Sequence, residues 1–145
     1  MNKIVKLELK HLEDLVSDDL MVNIRAGLFE DTLTNLSKSK YAFTLMKDEK
    51  PIACMGINEY WTGRGEAWAM FIPGNPEVFT RVFRACKKFL NSVNLRRIEA
   101  TVRTEFLNGH RFVMMLGFEC ERYEMRGYGP TGESYSAYSY IKGVY

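Results

Sequence analysis

Residues 66–72, Glu-Ala-Trp-Ala-Met-Phe-Ile, are apolar at nearly every position, and Pro73-Gly74-Asn75-Pro76 cuts the run short. A strand apolar on both faces belongs in the middle of a sheet. The Pro-Gly-Asn-Pro punctuation stops it sharply. The spacing then predicts the best helix of the chain, from about 76 to 92. Asn75 suits the N-cap and Pro76 the first turn. Val78, Val82, Cys86, Phe89 and Leu90 share one face, with Arg81, Arg84, Lys87 and Lys88 on or near the other. Arg97–Arg103 follows as a strand. A central strand, a helix and a further strand in that order commit the chain to a mixed α/β class.

The remaining elements can be read in the same way. Ile4, Lys6 and Glu8 alternate with Val5, Leu7 and Leu9, so a first strand over 3–9 should turn Val5, Leu7 and Leu9 inward. Leu12, Leu15 and Val16 predict a short helix over 11–19, and a second helical stretch covers about 20–36 with Gly27 inside it. Strands over 40–47 and 51–60 flank Asp48-Glu49-Lys50 as a hairpin, and Thr62-Gly63-Arg64-Gly65 turns into the central strand. A terminal hairpin, 120–126 and 134–141, closes the chain. The order is β-α-α-β-β-β-α-β-α-β-β, a single domain over 1–145 with about seven strands and about four helices.

Composition narrows the function classes. A length of 145 residues fits one domain with an ordinary core. A net charge of only +2 argues against a dedicated nucleic-acid binder. The most basic stretch, Arg81, Arg84, Lys87, Lys88, Arg96 and Arg97, lacks the interleaved aromatics of a stacking platform. No apolar run approaches the roughly 18–20 residues of a membrane span, and the N-terminus has no apolar signal block. The expected location is therefore the cytoplasm. Three cysteines (Cys54, Cys86, Cys120) and two histidines (His11, His110) have no zinc-ligand spacing, so no metal is expected. Buried free thiols and a surface His110 are the simplest readings. Edge strands and the terminal hairpin offer surfaces through which two copies could pair as a homodimer.

Residues 105–120 carry the most specific local pattern. Phe112, Met115 and Leu116 mark one apolar face of a short helix. Gly117 stands where that helix needs a left-handed cap, and Phe118 can pack back onto its last turn. The Arg111-Phe112-x-x-x-Leu116-Gly117-Phe118 ending, together with the order of elements over essentially the whole chain, resembles the GNAT superfamily of N-acetyltransferases. The small size and worn motifs also look like short GNAT-like proteins of tailed phages, some found inside virions. If so, the chain would act in the host cytoplasm or in a particle.

The resemblance implies a GNAT-like mixed, mostly antiparallel sheet and acetyl-CoA as cosubstrate. In that family the pantetheine arm pairs with the fourth strand and the pyrophosphate sits at the start of the long helix. It would place the cofactor against Met70, Phe71, Ile72, Gly74 and Asn75, with Arg81 and Arg84 able to add charge toward the phosphates. The family loop, (Gln/Arg)-x-x-Gly-x-(Gly/Ala), corresponds to Gly74–Phe79, and this chain departs from it: Glu77 and Phe79 occupy the glycine positions, and Pro76 removes a donor. The acceptor would be an amine of a small molecule or protein. Many members use a fourth-strand Glu as base and a Tyr on the short helix as acid. Glu66 is the preferred base, ahead of Glu59, Glu99 and Glu105. The Tyr position is Val113 here, and Tyr123 is the substitute acid. The alternative is a GNAT fold that has lost catalysis and serves as a binding or structural module.

Overall fold

The computed structural model describes residues 2–16, 37–71 and 76–143. Its elements are β1 (Asn2–Lys6), α1 (Leu9–Val16), β2 (Tyr41–Lys47), β3 (Lys50–Trp61), β4 (Arg64–Phe71), α2 (Pro76–Ser92), β5 (Arg97–Arg103), α3 (Leu107–Leu116), β6 (Glu119–Met125) and β7 (Tyr135–Ile141). The seven strands hydrogen-bond in the order β1-β2-β3-β4-β5-β7-β6. β4 and β5 run parallel; β1–β2, β2–β3, β5–β7 and β6–β7 are antiparallel. Three helices are present among the described residues. The helix expected over 20–36 lies outside them. Contacts group the chain into two compact units, Met1–Asn58 with Trp68–Lys88, and Glu59–Ala67 with Phe89–Tyr145.

In the first unit, Leu7, Leu12, Leu15, Cys54 and Met70 form a core, with Ala42 and Trp68 packed against it. The first strand is shorter than its alternation suggests. Leu9 is not an inward strand residue; it is exposed and opens α1. The helix begins early because its first turn is tied down. The His11 ring accepts the Glu8 backbone N–H at Nδ1 (3.1 Å), the same reach-back that a capping box uses. A backbone amide can only donate, so Nδ1 carries no proton and the ring proton sits on Nε2, 3.4 Å from the Glu8 carboxylate. The buried Thr44 hydroxyl reaches the same Nδ1 at 2.8 Å and lies 3.5 Å from Cys54 Sγ. Burial pushes the Cys54 thiol up to about 11, which makes it an inert core group.

The β2–β3 turn is a two-residue loop, since Lys47 pairs directly with Lys50. Asp48 (φ 50°) and Glu49 (φ 68°) both take the left-handed backbone that a primed hairpin turn demands. α2 covers the expected span, with Val78, Val82, Cys86 and Leu90 buried and Phe89 half-buried.

In the second unit, β5 alternates cleanly: Ile98, Ala100 and Val102 are buried, while Arg97, Glu99, Thr101 and Arg103 lie on the other face. α3 ends as its sequence requires. Gly117 is left-handed (φ 104°), its N–H bonds Met114 O, and Phe118 N–H bonds Val113 O. Phe118 is buried and its ring meets Tyr140 at 5.5 Å. The buried face of α3 is made by His110, Phe112, Val113 and Leu116, not by Met115, which is exposed.

Two residue readings are corrected here. His110 is buried rather than on the surface. Its Nε2 meets the Thr104 carbonyl (2.9 Å), an acceptor only, so Nε2 holds the proton and Nδ1 accepts from the Tyr138 hydroxyl at 2.6 Å. That pair of bonds satisfies both ring nitrogens and lets the imidazole enter the core. Cys120, by contrast, is exposed, because every residue of β6 up to Glu124 is.

Candidate functional site

The site grows from the turn between β3 and β4. Gly63 adopts φ 95°, and its carbonyl accepts the N–H groups of both Arg96 and Arg97 at 2.8 Å. That double bond sets the start of β5 beside the start of β4. The ladder between them pairs Arg64 with Arg97, Gly65 with Ile98 and Glu66 with Glu99. Residues in register share a face. Arg64, Glu66, Arg97 and Glu99 therefore lie together, opposite the buried Ile98 and Ala100.

The charges on that face are tightly organised. Arg64 grips Glu99 with two parallel bonds, Nε to Oε2 at 2.6 Å and Nη2 to Oε1 at 2.9 Å. Arg97 Nε reaches the same Oε2 at 2.6 Å and its two terminal nitrogens clamp Glu121 at 2.7 Å each. Ser139 donates to Glu121 as well. Arg97 holds the Glu121 carboxyl down at about 2, and Arg64 and then Arg97 hold Glu99 below the ordinary carboxylate range. The Arg64 guanidinium also lies over the rings of Trp61 (4.5 Å) and Tyr60 (4.9 Å).

Glu66 is different in kind. It is half-buried, and burial raises its pKa above the usual value; the charge of Glu99 adds to the rise. The Tyr60 hydroxyl donates to it and Arg64 attracts it, both opposing the shift. Tyr60 itself is pushed up to about 12, by partial burial first and then by Glu66. Burial, then Glu66 and Glu99, raises Tyr128 too, so that phenol lies within electrostatic reach of the same carboxylate. The Tyr128 ring leans on Tyr135 at 5.4 Å. A carboxylate raised in this way, with a hydrogen-bond donor fixing its orientation, is a stronger base than an exposed one and is suited to accept a proton.

Tyr123 stands elsewhere. Its ring stacks on His110 at 5.9 Å, and His110 bonds Tyr138, which is in register with the buried Ala100. Tyr123 therefore lies on the sheet face opposite Glu66, and the two are not brought together. Val113 is buried, as part of the inner face of α3. Glu59 is half-buried at the end of β3, and Glu105 is exposed before α3.

The residues expected against a cofactor lie in the other unit. The Met70 side chain is buried among Leu7, Leu12, Leu15 and Cys54, which leaves only its backbone for a ligand. Phe71 is half-buried at the end of β4. Ile72, Gly74 and Asn75 fall outside the described residues. In the first turns of α2, Arg81 Nη2 meets Glu77 Oε1 at 3.3 Å, so the carboxylate at the helix start has a counter-charge. Phe79 runs along the helix with its ring parallel to Phe83 at 6.4 Å. Arg84 is exposed one turn beyond Arg81. The negative charge at the helix start is thus paired, and Arg84 lies exposed further along the helix.

Among the described residues, no group of three or more His, Cys, Asp or Glu is placed to hold a metal ion. No helix among them is long and apolar enough to cross a membrane. Tyr60, Arg64 and Tyr128 were not marked by the sequence. Tyr60 is one polar-tipped aromatic at a strand end, and Tyr128 sits in a glycine-rich turn, so neither has a spacing that announces a role.

No protein-family model matches the chain, and no curated protein is detectably similar to it in sequence. Solved structures are similar in fold. An N-acetyltransferase from Staphylococcus aureus Mu50 aligns with TM-score 0.74 at 12% identity, covering 97% of each chain. A GNAT-family acetyltransferase from Bacillus anthracis aligns at 0.70 and 19%, covering 97% of this chain and 94% of that one. A candidate acetyltransferase from Salmonella typhimurium, solved with its cofactor acetyl-CoA, aligns at 0.70 and 8%, covering 99% and 95%. The chain has the GNAT fold.

Proposed function

We propose that the chain is an acyl-CoA-dependent N-acetyltransferase in which Glu66 is the base. The observation that carries this reading is the half-buried Glu66 carboxylate on β4, raised by burial and held by Tyr60. An acceptor ammonium must lose a proton before its nitrogen can attack, and Glu66 takes that proton. Acetyl-CoA supplies the acyl group as a thioester, displaced by the amine at the carbonyl carbon. The backbone of Met70 and Phe71, together with Ile72, Gly74, Asn75, Arg81 and Arg84, would hold the cosubstrate. Tyr60, at about 12, keeps its proton at neutral pH and orients the carboxylate rather than delivering a proton. The leaving thiolate needs no dedicated acid when orientation alone is worth roughly 7–11 kcal/mol.

Calorimetry with acetyl-CoA, followed by thiol release with a panel of amines, tests the reading. Binding, with turnover lost in Glu66→Gln, is the expected result. No heat at millimolar acetyl-CoA would overturn it.

A second reading rests on Val113, buried where the resemblance places a Tyr, and on Glu77 in the first turn of α2. It makes the chain a non-catalytic GNAT-fold binding or structural module, in a phage particle if the fainter resemblance holds. Fold alone does not decide between them. Turnover of any amine that Glu66→Gln abolishes removes this second reading.

A further inference from the structure

α3 is apolar on both of its faces. His110, Phe112, Val113 and Leu116 pack inward, on the sheet side opposite Glu66. Leu107, Met114 and Met115 turn outward, and Phe106 stands beside them at the N-cap; each is between 53% and 62% exposed. Leu107, Arg111, Met114 and Met115 recur at helical spacing, so they form one continuous strip about 12 Å long. A helix that is apolar all round is ordinarily covered on every side. The outer strip of α3 faces solvent instead.

The aromatic end of the strip is built into the fold. Gly109 has no side chain, and a Cβ there would stand 2.6 Å from the Phe106 ring and 2.7 Å from Val102. The ring therefore rests directly on the first turn of α3. The Phe106 N–H bonds the Arg103 carbonyl at 2.9 Å, and the Phe106 carbonyl accepts from Gly109 and His110. Phe106 gives α3 no side-chain cap bond, where Ser, Thr, Asp or Asn would stabilise the helix. An exposed ring is thus held where local stability favours a small polar residue, the kind of local conflict found at functional surfaces.

Arg111 is the only charged residue of α3. It is exposed and has no ion pair among the described residues. Glu105 and Glu119, the nearest carboxylates in sequence, lie beyond the two ends of the helix. Aromatic, methionine and arginine side chains are enriched where proteins meet, and methionine adapts its shape to what it touches. The charge decides between occupants. Phe106 and Met115, and likewise Leu107 and Met114, are spaced evenly about the step from 110 to 111. A second copy placed to cover all four on a two-fold axis would bring Arg111 against its own image. A partner with a carboxylate at that point gains an ion pair in place of the repulsion.

We propose that the outer face of α3 docks an amphipathic helix of another protein, with apolar side chains against Phe106, Leu107, Met114 and Met115 and an Asp or Glu against Arg111. The docking face lies on the other side of the sheet from Glu66 and does not depend on the acetyltransferase reading.

Matched helical peptides test this on the full chain, with the methionine methyl groups as the NMR readout. One peptide carries Leu at i, i+3 and i+7 with Glu at i+4 on an alanine background; the other has Lys in place of that Glu. The Glu peptide should shift the Met114 and Met115 methyl signals saturably and bind at least about tenfold more tightly than the Lys peptide. Arg111→Glu, at an exposed position, should reverse the preference, and Met115→Lys should abolish binding of the Glu peptide. Equal affinity for the two peptides, or no shift of either methyl at millimolar peptide, would overturn the proposal. So would methyl shifts that follow protein concentration alone, with a dimer in sedimentation, since a second copy would then be the occupant.

Discussion

Arg64 and Glu99 meet fork to fork across two parallel strands, at 2.6 and 2.9 Å, and this pair adds two opposed charges to the neighbouring Glu66, whose pKa burial raises first. Glu99 raises Glu66 by like charge, and Arg64 lowers it. Replacing Glu99 with Gln removes the repulsion and releases Arg64 toward Glu66. Both changes favour ionised Glu66. The acid limb of the kcat/KM profile in Glu99→Gln is therefore expected to move to lower pH. A limb that stays in place, or moves up, would show that Glu66 does not set it.

Glu66→Gln separates activity from stability. Its folded-state pKa lies above its unfolded value, so the folded protein binds the extra proton between the two. Stability from that proton is lost as pH rises through the raised pKa. Above that raised pKa the wild type holds a desolvated charge that the amide lacks. The variant should lose about 10²–10⁴-fold in turnover while keeping or raising its Tm. Below the ordinary carboxylate range the Tm difference should vanish. Melts across pH 3–8 check this.

Acid stability should depend on Arg97. Glu99 and Glu121 are both depressed, Glu121 to about 2. Their contribution is present above the ordinary carboxylate value and is lost as pH falls toward about 2. Glu121 is exposed, so solvent screening keeps the effect small. In Arg97→Ala, the fall in Tm between about pH 4.5 and 2 should be shallower than in the wild type.

The β2–β3 turn holds Glu49 at φ 68°, a backbone that costs an L-residue roughly 1 kcal/mol and glycine almost nothing. Glu49→Gly should raise stability by up to about 1 kcal/mol and Tm by a few degrees. Differential scanning calorimetry is sufficient to check it.

At the first turn of α1, His11→Ala leaves the Glu8 N–H and the buried Thr44 hydroxyl without their shared acceptor. A loss of about 2 kcal/mol is expected in urea unfolding. His11→Gln, which can still offer an oxygen, should lose less.

Much of the fold was legible because it rests on periodicity. β5 spans Arg97–Arg103 and α2 ends at Ser92, both as spacing predicts. The Gly117 cap was legible for a related reason: few residues accept a left-handed backbone. Legibility failed where tertiary hydrogen bonds decided burial. His110 reads as a surface polar residue until Tyr138 and the Thr104 carbonyl satisfy both ring nitrogens. Cys120 reads as a core thiol until it falls on a strand exposed along its length. Leu9 reads as the last inward residue of β1 until the Glu8–His11 bond starts the helix early. In the site, Glu66 could be named from its place on the fourth strand. Its neighbours Tyr60 and Tyr128 could not, since Tyr60 reaches it only from the end of β3 and Tyr128 comes within its field only through the β6–β7 turn.

The Gly63 carbonyl, accepting two amides at once, also bears on how the chain reaches its native state. Joining Arg64 to Arg97 closes more than thirty intervening residues for a ladder of three pairs, a large entropic debt against few bonds. Two further hydrogen bonds at the point of closure make that encounter harder to undo. Folding kinetics should therefore hinge on this junction: antiparallel hairpins form from near neighbours, and the parallel crossing waits for distant segments to find each other.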